Sequence, residues 1–283
     1  MADRALMEEV RERPTRAEDE PVVEFQHVSL AFDDKVVLRD ISFTLRRGRT
    51  LIILGASGSG KSTILKIITG LLRADAGTVL VNGESINGLS ETEMMRVRAD
   101  LGLIFQEGAL FDSLTVRENV GYKLDEELKV PIEQADQRVR DVLSFIDLEE
   151  HIDKMPSQLS GGQRRRVAIA RAMAFKPGIL LYDEATTGID PITAITVNDE
   201  IIKLRDFEEA SSIVVTHQLR DAFYVATHMA VRETGGKVKI QPATPEKAAE
   251  ATFMMLKEGL VVFEGDADAL RHASDAYLRE FLS

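Results

Sequence analysis

Short apolar runs alternate with longer amphipathic stretches along most of the chain. The runs Leu51–Leu54, Ile179–Tyr182 and Ile213–Val215 are continuous and bounded by glycine or polar residues, which is typical of buried strands. Residues 131–155 instead carry apolar side chains at the three- and four-residue spacing of a helix. These side chains are Val139, Val142, Leu143 and Ile146. The alternation predicts an α/β fold around an open parallel sheet.

Strand-like segments of another kind precede the first apolar run. Residues 22–32 and 36–45 are rich in β-branched and aromatic residues, and the turn-like residues 33–35 join them, so a hairpin is predicted. A further strand over 77–83 ends on an Asn-Gly turn. Phe32 closes the first arm of the hairpin. Its ring could stack on a nucleotide base or pack in the hairpin core, and its position does not decide between the two.

The run Leu51–Leu54 ends in a glycine-rich segment that precedes a helical pattern. Gly55 and Gly60, followed by Lys61 and Ser62, have the spacing of a phosphate-binding loop. In such a loop backbone N–H groups wrap the phosphates, the lysine reaches the terminal phosphates, and the serine hydroxyl binds Mg²⁺. The predicted nucleotide contacts of this segment are Gly55, Ala56, Ser57, Gly58, Ser59, Gly60, Lys61, Ser62 and Thr63.

A second segment with anion-binding features is Leu159–Gln163, directly before another helical pattern. Its serine is a good helix cap, its two glycines permit close backbone approach, and the N–H groups of a helix start attract anions. A lone Gly-Gly cap is weak evidence, but on a chain with a phosphate loop it indicates a second phosphate contact. The predicted contacts are Ser160, Gly161, Gly162 and Gln163.

Two carboxylates follow the apolar run Ile179–Tyr182. Because ligands bind at the carboxyl ends of strands in an open parallel sheet, these acids are expected to face the nucleotide. Asp183 is predicted to hold Mg²⁺, and Glu184 to orient and deprotonate the attacking water. His217, which follows the next strand, is placed to touch the γ-phosphate and the water. The other histidines lack metal-like spacing and are assigned structural roles: His27, His151, His228 and His272.

Composition excludes several other classes of function. The 283 residues carry a formal net charge of -12, which opposes general binding to nucleic acid because that binding needs a basic face. The absence of cysteine excludes disulfides and thiolate metal sites. The apolar runs are far shorter than the roughly 18 residues that a spanning helix needs. Residues 1–20 lack the apolar core of a signal peptide and are predicted to be disordered.

Taken together, these motifs resemble those of a known family. The phosphate loop, Gln106, Leu159–Gln163, Tyr182–Glu184 and His217 occur in the order and approximate spacing of the ATP-binding subunit of an ATP-binding-cassette (ABC) transporter. Leu159–Gln163, which we call the signature segment, resembles the five-residue motif specific to that superfamily. The resemblance implies an α/β fold with a P-loop (RecA-like) core sheet, an antiparallel β subdomain and an inserted α-helical subdomain.

The resemblance also implies a division of the chain. A disordered tail over 1–20 precedes a nucleotide-binding domain over 21–267, and a C-terminal helical extension occupies 268–283. Within the domain, the helical subdomain covers about 90–168, and an insertion of unknown role covers about 233–252. Ala185 departs from the family pattern, which usually has proline after the catalytic glutamate.

Residue roles follow from the same resemblance. Phe32 would stack on adenine, Gln106 would contact Mg²⁺ and sense a permease, and Asp190 would lie at a dimer seam. Two copies would close head to tail around two ATP molecules, so that Ser160 and Gly162 of one copy meet the γ-phosphate bound by the other. The implied catalytic residues are Glu184, His217, Lys61 and Gln106. The implied Mg²⁺ ligands are Ser62, Gln106 and Asp183.

The segment Gln106–Val120 resembles a narrower group, the Mce/Mla lipid-trafficking ATPases, as do residues 276–282. This implies an ATPase that drives integral membrane permease subunits moving lipid or phospholipid between membranes. It would be peripheral, at the cytoplasmic face of the inner membrane, with a substrate-binding Mce-domain protein as an additional partner. The apolar loop Ala109–Leu114 is either covered by its own domain or offered to the permease.

Two alternatives stay open at this point. The first is the ATPase subunit of a small-solute importer, against which only the segment after Gln106 argues. The second is a non-transport member of the superfamily that acts on DNA or ribosomes. A single phosphate loop, the lack of extended heptads and the acidic charge argue against this second alternative.

Overall fold

The computed structural model describes residues 20–234 and 237–282. The tail predicted over 1–20 therefore lies outside the described residues except for Glu20, and so do Gly235, Gly236 and Ser283. None of the helices in the described ranges combines the length and the apolar character that crossing a membrane requires.

The predicted hairpin forms one edge of a four-stranded antiparallel sheet with the order β2-β1-β4-β5. Its strands are β1 (Pro21–Phe32), β2 (Lys35–Arg46), β4 (Ala76–Val81) and β5 (Glu84–Ser85). Asn82 and Gly83 join the last two strands with φ values of 50° and 77°, the positive values that a tight hairpin turn requires. Phe25 and Phe43 stack across the hairpin with ring centroids 4.6 Å apart.

The core is a six-stranded sheet with the order β12-β11-β3-β8-β7-β6. Its strands are β3 (Thr50–Gly55), β6 (Leu101–Ile104), β7 (Ile179–Asp183), β8 (Ser211–Val215), β11 (Ala251–Lys257) and β12 (Leu260–Gly265). Neighbouring strands are parallel except that β12 is antiparallel to β11. Every residue of β3 and β8 is buried, because both faces are covered, and this explains their continuous apolar sequence.

Helices cover the core sheet and continue to the C-terminal end of the described chain. They are α1 (Lys61–Ile68), α2 (Glu91–Arg98), α3 (Val116–Tyr122), α4 (Ile132–Phe145), α5 (Gly161–Met173), α6 (Pro191–Phe207), α7 (Leu219–Thr227), α8 (Pro245–Ala248), α9 (Ala267–Arg271) and α10 (Ala276–Leu282). A π-helical turn, Lys123–Glu127, extends α3. Capping boxes start α2, α3 and α5, where a Ser or Thr precedes a Glu or Gln by three residues.

The helix predicted over 131–155 is shorter than its pattern. It ends at Phe145, and Asp147 then adopts a φ of 53°, which breaks the helical path. Two 3₁₀ turns follow, Glu149–His151 and Pro156–Gln158. The range predicted for the helical subdomain, about 90–168, also contains β6, which pairs with β7 in the core sheet. The helices α3, α4 and α5 pack together after β6.

Ordered elements occupy the range predicted as an insertion. β9 (His228–Arg232) and β10 (Val238–Pro242) form an antiparallel hairpin, α8 follows, and the chain then enters the core sheet as β11 beside β3. After β12, α9 and α10 place Leu270 and Leu278 in the same buried cluster as the core helices. The predicted C-terminal extension thus packs on the domain within the described residues.

Candidate nucleotide-binding site

Three loops meet at one edge of the core sheet. β8 lies between β3 and β7, with Val215 in register with Ile53 on one side and with Asp183 on the other. The carboxyl ends of these parallel strands therefore bring together the loop after β3, the carboxylates after β7 and the histidine after β8. This is the edge at which ligands bind in open α/β sheets.

Two glycines allow the loop after β3 to close tightly. A Cβ on Gly55 would lie 2.5 Å from the Leu256 carbonyl oxygen, and one on Gly60 would lie 2.7 Å from Leu38 Cδ2. Both residues also have positive φ, 153° and 105°. A side chain at either position would force the loop open. Ser59 Oγ is buried here without a hydrogen-bond partner among the described residues.

Lys61 starts α1 and is 4% exposed. Its Nζ donates to the carbonyl oxygens of Gly55 at 2.9 Å and Ala56 at 3.0 Å, and lies 3.6 Å from Glu184 Oε1. Burial lowers the pKa of Lys61, and the neighbouring Glu184 charge opposes that shift. The ammonium group is thus held at the loop, within reach of an anion bound there.

Ser62 and Asp183 form the oxygen pair predicted for Mg²⁺. Ser62 Oγ donates to Asp183 Oδ1 at 2.7 Å. Burial raises the pKa of Asp183, while the hydrogen bond from Ser62 acts to lower it. A cation bound at these oxygens would favour the ionised carboxylate.

Glu184 is held by three groups. Its Oε2 accepts from His217 Nδ1 and from Thr187 Oγ1, both at 3.1 Å, and its backbone N–H donates to Val215 O at 2.9 Å. Its φ of 49° is unusual for a residue with a long side chain. The backbone bond to β8 holds this conformation and keeps the carboxylate beside His217 and Lys61.

Arg165 is a contributor that the sequence analysis did not identify. Its guanidinium donates to the carbonyl oxygens of Ala185 at 2.6 Å and Thr187 at 2.5 Å, and burial lowers the pKa of Arg165. It therefore fixes the turn after Glu184 to α5. The available signal was the middle arginine of a basic triplet, which sequence alone does not distinguish from Arg164 and Arg166.

The signature segment forms the start of α5 with a complete capping box. Ser160 Oγ accepts from Gln163 N at 3.2 Å, and Gln163 Oε1 accepts from Ser160 N at 2.9 Å. Gln163 Nε2 also lies 2.7 Å from His151 Nε2, so this histidine contacts a predicted site residue. Ser160 itself is exposed.

Asp190 and Gly162 connect the signature segment to α6. Asp190 caps α6 by accepting from the N–H groups of Ile192 and Thr193, which holds the pKa of Asp190 low together with the Thr193 hydroxyl. A Cβ on Gly162 would lie 2.1 Å from Thr193 Cγ2. The two helix starts are thus packed against each other.

The structure does not bring every predicted residue into one cluster. Lys61, Ser62, Asp183, Glu184 and His217 are joined by direct contacts, whereas no hydrogen bond or ion pair among residues 20–234 and 237–282 joins the signature segment to the phosphate loop. The two regions predicted to bind anions are therefore not in direct polar contact within the described residues.

Phe32 and Gln106 lie outside the contact cluster. Phe32 ends β1 with 47% of its side chain exposed, so it is not a core residue of the hairpin. Gln106 is exposed directly after β6, and its side chain makes no hydrogen bond to another described residue. Both stay predictions as ligand contacts.

The loop after Gln106 is partly covered and partly exposed. Buried Asn119 accepts from Phe111 N at 2.8 Å and donates to the carbonyl oxygens of Phe111, Leu114 and Thr115. Arg171 donates to Ala109 O at 2.8 Å. Phe111 nevertheless keeps 43% of its side chain exposed, beside the exposed ring of Tyr122.

The residues present fit a nucleotide with Mg²⁺. Gly55 and Gly60 let the loop pack closely where a Cβ would collide with Leu256 and Leu38, and the buried hydroxyl of Ser59 lacks a partner among the described residues. Ser62 and Asp183 supply the hard oxygen ligands that Mg²⁺ prefers. No cluster of three or more acidic or histidine ligands occurs in the described ranges, and Mg²⁺ sites completed by phosphate oxygens need none.

The fold and this site define the chain as a phosphate-loop nucleotide-binding protein. The family profile described as ABC transporter matches residues 38–187. The chain therefore belongs to the ABC transporter family, as one of its ATPase cassettes.

Solved structures agree with this assignment. An ATP-binding cassette, MJ0796, solved as a dimer in a post-hydrolysis state bound to ADP and Pi, superposes with a TM-score of 0.70 at 29% identity. The superposition covers 86% of this chain and 98% of that one. The predicted α/β cassette fold is thereby confirmed.

Similar proteins include two that are named as import ATP-binding proteins. Protein TRIGALACTOSYLDIACYLGLYCEROL 3 of Arabidopsis thaliana is 40% identical over 74% of this chain and 65% of its own length. The methionine import ATP-binding protein MetN of Bifidobacterium longum is 39% identical over 78% of this chain and 56% of its own length. The spermidine/putrescine import ATP-binding protein PotA of Thermotoga maritima is 39% identical over 81% of this chain and 60% of its own length. The chain thus spans less than two thirds of the length of these relatives.

Proposed function

We propose that this chain binds and hydrolyses ATP to drive a membrane permease. The observation that carries the proposal is the contact cluster at the sheet edge, where Glu184 accepts from His217 and lies 3.6 Å from Lys61 Nζ. A base, a cation and a second polar group stand next to a loop shaped for phosphates. Phosphoryl transfer to water requires these groups: a base for the water, a cation for the phosphates and a polar group that orients them.

Each residue has a separate task in the proposed reaction. Lys61 binds the terminal phosphates and offsets their negative charge. Glu184 orients the attacking water and accepts its proton, and the hydrogen bonds from His217 and Thr187 hold its carboxylate in place. Because the Glu184 carboxylate can only accept, Nδ1 of His217 is the donor, so a hydrogen bond from Nε2 to the γ-phosphate would require the doubly protonated ring.

Ser62 and Asp183 would hold Mg²⁺, with Gln106 as a further contact. The ion, when bound, neutralises charge on the β- and γ-phosphate oxygens. Phe32 is exposed at the end of β1 and would stack on the adenine ring.

The second anion-binding surface would act on another chain's nucleotide. The signature segment of one copy would cap the γ-phosphate bound by Lys61 of a second copy, so that two ATP molecules lie in a homodimer. The separation of the two surfaces within one chain and the dimeric state of the MJ0796 cassette support this arrangement. Hydrolysis would then weaken the contact between copies.

The permease would bind at the loop after β6. Asn119 and Arg171 hold the backbone of Ala109–Leu114, while Phe111 and Tyr122 keep their rings exposed. A fixed backbone with exposed aromatic rings is suited to receive an apolar segment of a partner. The chain would then be a peripheral subunit at the cytoplasmic face of the inner membrane.

Lipid or phospholipid is the proposed cargo, in a system of the Mce/Mla type with a substrate-binding Mce-domain protein as an additional partner. Two points support it: the segment Gln106–Val120 resembles that group in sequence, and the Arabidopsis relative is named for a diacylglycerol lipid. A second candidate is an importer of a small solute, which the similarity to the methionine and spermidine systems favours.

Identification of the partner tests this proposal. The chain is expressed with the membrane proteins of its source, isolated in detergent, and its partners and bound lipids are identified by mass spectrometry. We expect a multi-spanning permease that retains phospholipid. Phe111→Asp should lose the permease, while Val262→Asp, which charges an exposed position on the distant edge strand β12, should keep it.

The other outcomes separate the alternatives. If the permease carries no lipid and an amino acid or a polyamine stimulates ATP hydrolysis by the complex, the cargo is a small solute rather than a lipid. A ribosome or DNA as the partner would contradict the transport role altogether.

A further inference from the structure

His151 lies where the sequence gives no sign of a function. It ends the 3₁₀ turn Glu149–His151, and only 6% of its surface is exposed. Its Nε2 lies 2.7 Å from Nε2 of Gln163, the last residue of the signature segment. Two nitrogens at this distance must be a donor and an acceptor.

The chemistry of Gln163 determines which nitrogen donates. Gln163 Oε1 accepts from the backbone N–H of Ser160 at 2.9 Å, and a backbone N–H can only donate. The amide oxygen is therefore assigned, and the other amide atom is the NH₂ group, which donates to His151. His151 Nε2 must carry its lone pair, and Nδ1 carries the proton.

We propose that His151 is a positioning residue for the signature segment. Its imidazole accepts from Gln163 and thereby fixes the direction in which the Gln163 amide points. That direction lets Gln163 hold the backbone of Ser160 at the start of α5. The inference rests on the proposed function, because the start of α5 matters only if it meets a nucleotide.

Protonation of His151 would disrupt this arrangement. An imidazolium has two donors and no acceptor, so its Nε2–H would face the Gln163 NH₂ group. The amide would then move away or rotate, and a rotated amide would present NH₂ to the N–H of Ser160. In either case the helix start loses a hydrogen bond.

Among the described residues, one ion-pair contact involves the His151 ring, and it comes from Glu150. The Glu150 carboxylate lies 3.6 Å from Nδ1, beyond hydrogen-bond distance, and Nδ1 has no other partner among the described residues. On α5, Arg164 donates to Leu159 O at 2.7 Å and Arg166 to Ile146 O at 3.0 Å, so both cations are bonded to backbone oxygens. Gln163, the α5 residue that contacts the ring, is neutral.

The test measures ATP-dependent dimerisation against pH in a Glu184→Gln background, which blocks hydrolysis. We expect the affinity between copies to fall about fivefold or more at low pH, since one net hydrogen bond supplies about that factor. His151→Gln offers an amide oxygen at about the reach of Nε2 but does not titrate, so it should keep the high-pH affinity and lose this decrease. His151→Leu should be weak at every pH.

A matched control uses another histidine. His272 is exposed and its ring contacts Asp268 O within its own helix, so His272→Gln should keep the parent's pH dependence. His217 is present in every variant, so any effect of that residue is common to all of them. The inference is wrong if His151→Gln retains the parent's full decrease, or if His151→Leu matches the parent at high pH.

Nitrogen NMR provides a measurement that does not need the dimer. In the parent chain at pH 8, the His151 signals should report a proton on Nδ1, and the Gln163 side-chain amide should shift as His151 titrates. A proton on Nε2 at pH 8 would overturn the inference. A parent chain that binds ATP without dimerising would contradict the proposed function instead, and the NMR result would then decide the inference alone.

Discussion

Gly162 and Gly161 are adjacent in the signature segment but meet different surroundings. A Cβ on Gly162 would lie 2.1 Å from Thr193 Cγ2, whereas one on Gly161 would have its nearest neighbour, an Arg164 nitrogen, at 4.0 Å. The side chain of Thr193 cannot move freely, because it is β-branched and its hydroxyl donates to Asp190. Gly162 therefore fixes the packing of α5 against α6, and Gly161 is open to a ligand.

Gly162→Ala should lower the free energy of unfolding by about 1–3 kcal/mol, the usual cost of overpacking. Thr193→Ser removes the clashing methyl group and keeps the hydroxyl, so the double variant should recover most of the loss. Gly161→Ala is the matched control and should not destabilise the chain. Urea unfolding measures all three. Equal stability of Gly162→Ala and the parent would disprove the packing role.

Individual site residues could be predicted from sequence to different degrees. Lys61, Ser62, Asp183 and Glu184 follow short motifs whose spacing reflects the chemistry, and the structure brings them together. Arg165 and His151 could not be predicted, because each acts through a contact between distant parts of the chain. Likewise, the sequence does not show that Gly161 and Gly162 differ in role. The structure shows it, because Thr193 lies against Gly162 and not against Gly161.

At the scale of elements, the Asp206 carboxylate contacts residues of α6, β9 and α8. Asp206, in α6, pairs with Arg205, accepts from Ala230 N of β9 at 2.8 Å, and lies 3.1 Å from Lys247 Nζ of α8. Burial acts to raise the pKa of Asp206, but the Arg205 guanidinium, the Ala230 N–H and Lys247 outweigh it and hold that pKa below its ordinary value. The range predicted as an insertion is thus anchored to the core by charge.

Asp206→Asn should lower the free energy of unfolding by about 2–4 kcal/mol at pH 7, because the buried Arg205 guanidinium loses its counter-charge and keeps only its hydrogen bonds to neutral groups. Because the pKa of Asp206 is lower in the folded chain than in the unfolded chain, the ionised carboxylate stabilises the fold fully above the unfolded pKa of about 3.9. This stabilisation is lost as the pH falls through the folded-state pKa. The difference between parent and variant should therefore shrink in acid.

The matched control for that change is Asp268→Asn, whose carboxylate is 81% exposed beside Arg271 and should contribute little. Thermal unfolding from pH 3 to pH 7 measures both variants. A difference between Asp206→Asn and the parent that stays constant over this range would show that the ionised carboxylate is not what stabilises the fold.

Element types were predictable where the pattern was long or the turn chemistry specific. The hairpin of β1 and β2 and the buried strands β3, β7 and β8 are where their patterns predict. The end of α4 could not be predicted, because Asp147 breaks the helix while the apolar spacing continues beyond it. The β9–β10 hairpin lacked a clear strand signal because its pairing partners are half-exposed and mixed in polarity.

The whole molecule has two predicted nucleotide-contact surfaces that no hydrogen bond or ion pair among residues 20–234 and 237–282 joins. The phosphate loop with Glu184 and His217 forms one, and the start of α5 forms the other. Sequence motifs predicted both surfaces, and the strand order places the loops after β3, β7 and β8 at one edge. Under the proposed function, a nucleotide is enclosed from both sides when a second copy supplies its signature segment.

The mass of the Glu184→Gln variant with Mg²⁺ and ATP tests this claim most directly. Removal of the base should abolish turnover while Lys61 still binds ATP, so the two copies should stay closed. Light scattering should then give twice the 31.4 kDa of one chain with ATP, and a single-chain mass with ADP. A variant that is saturated with ATP and still has the mass of one chain would contradict the account.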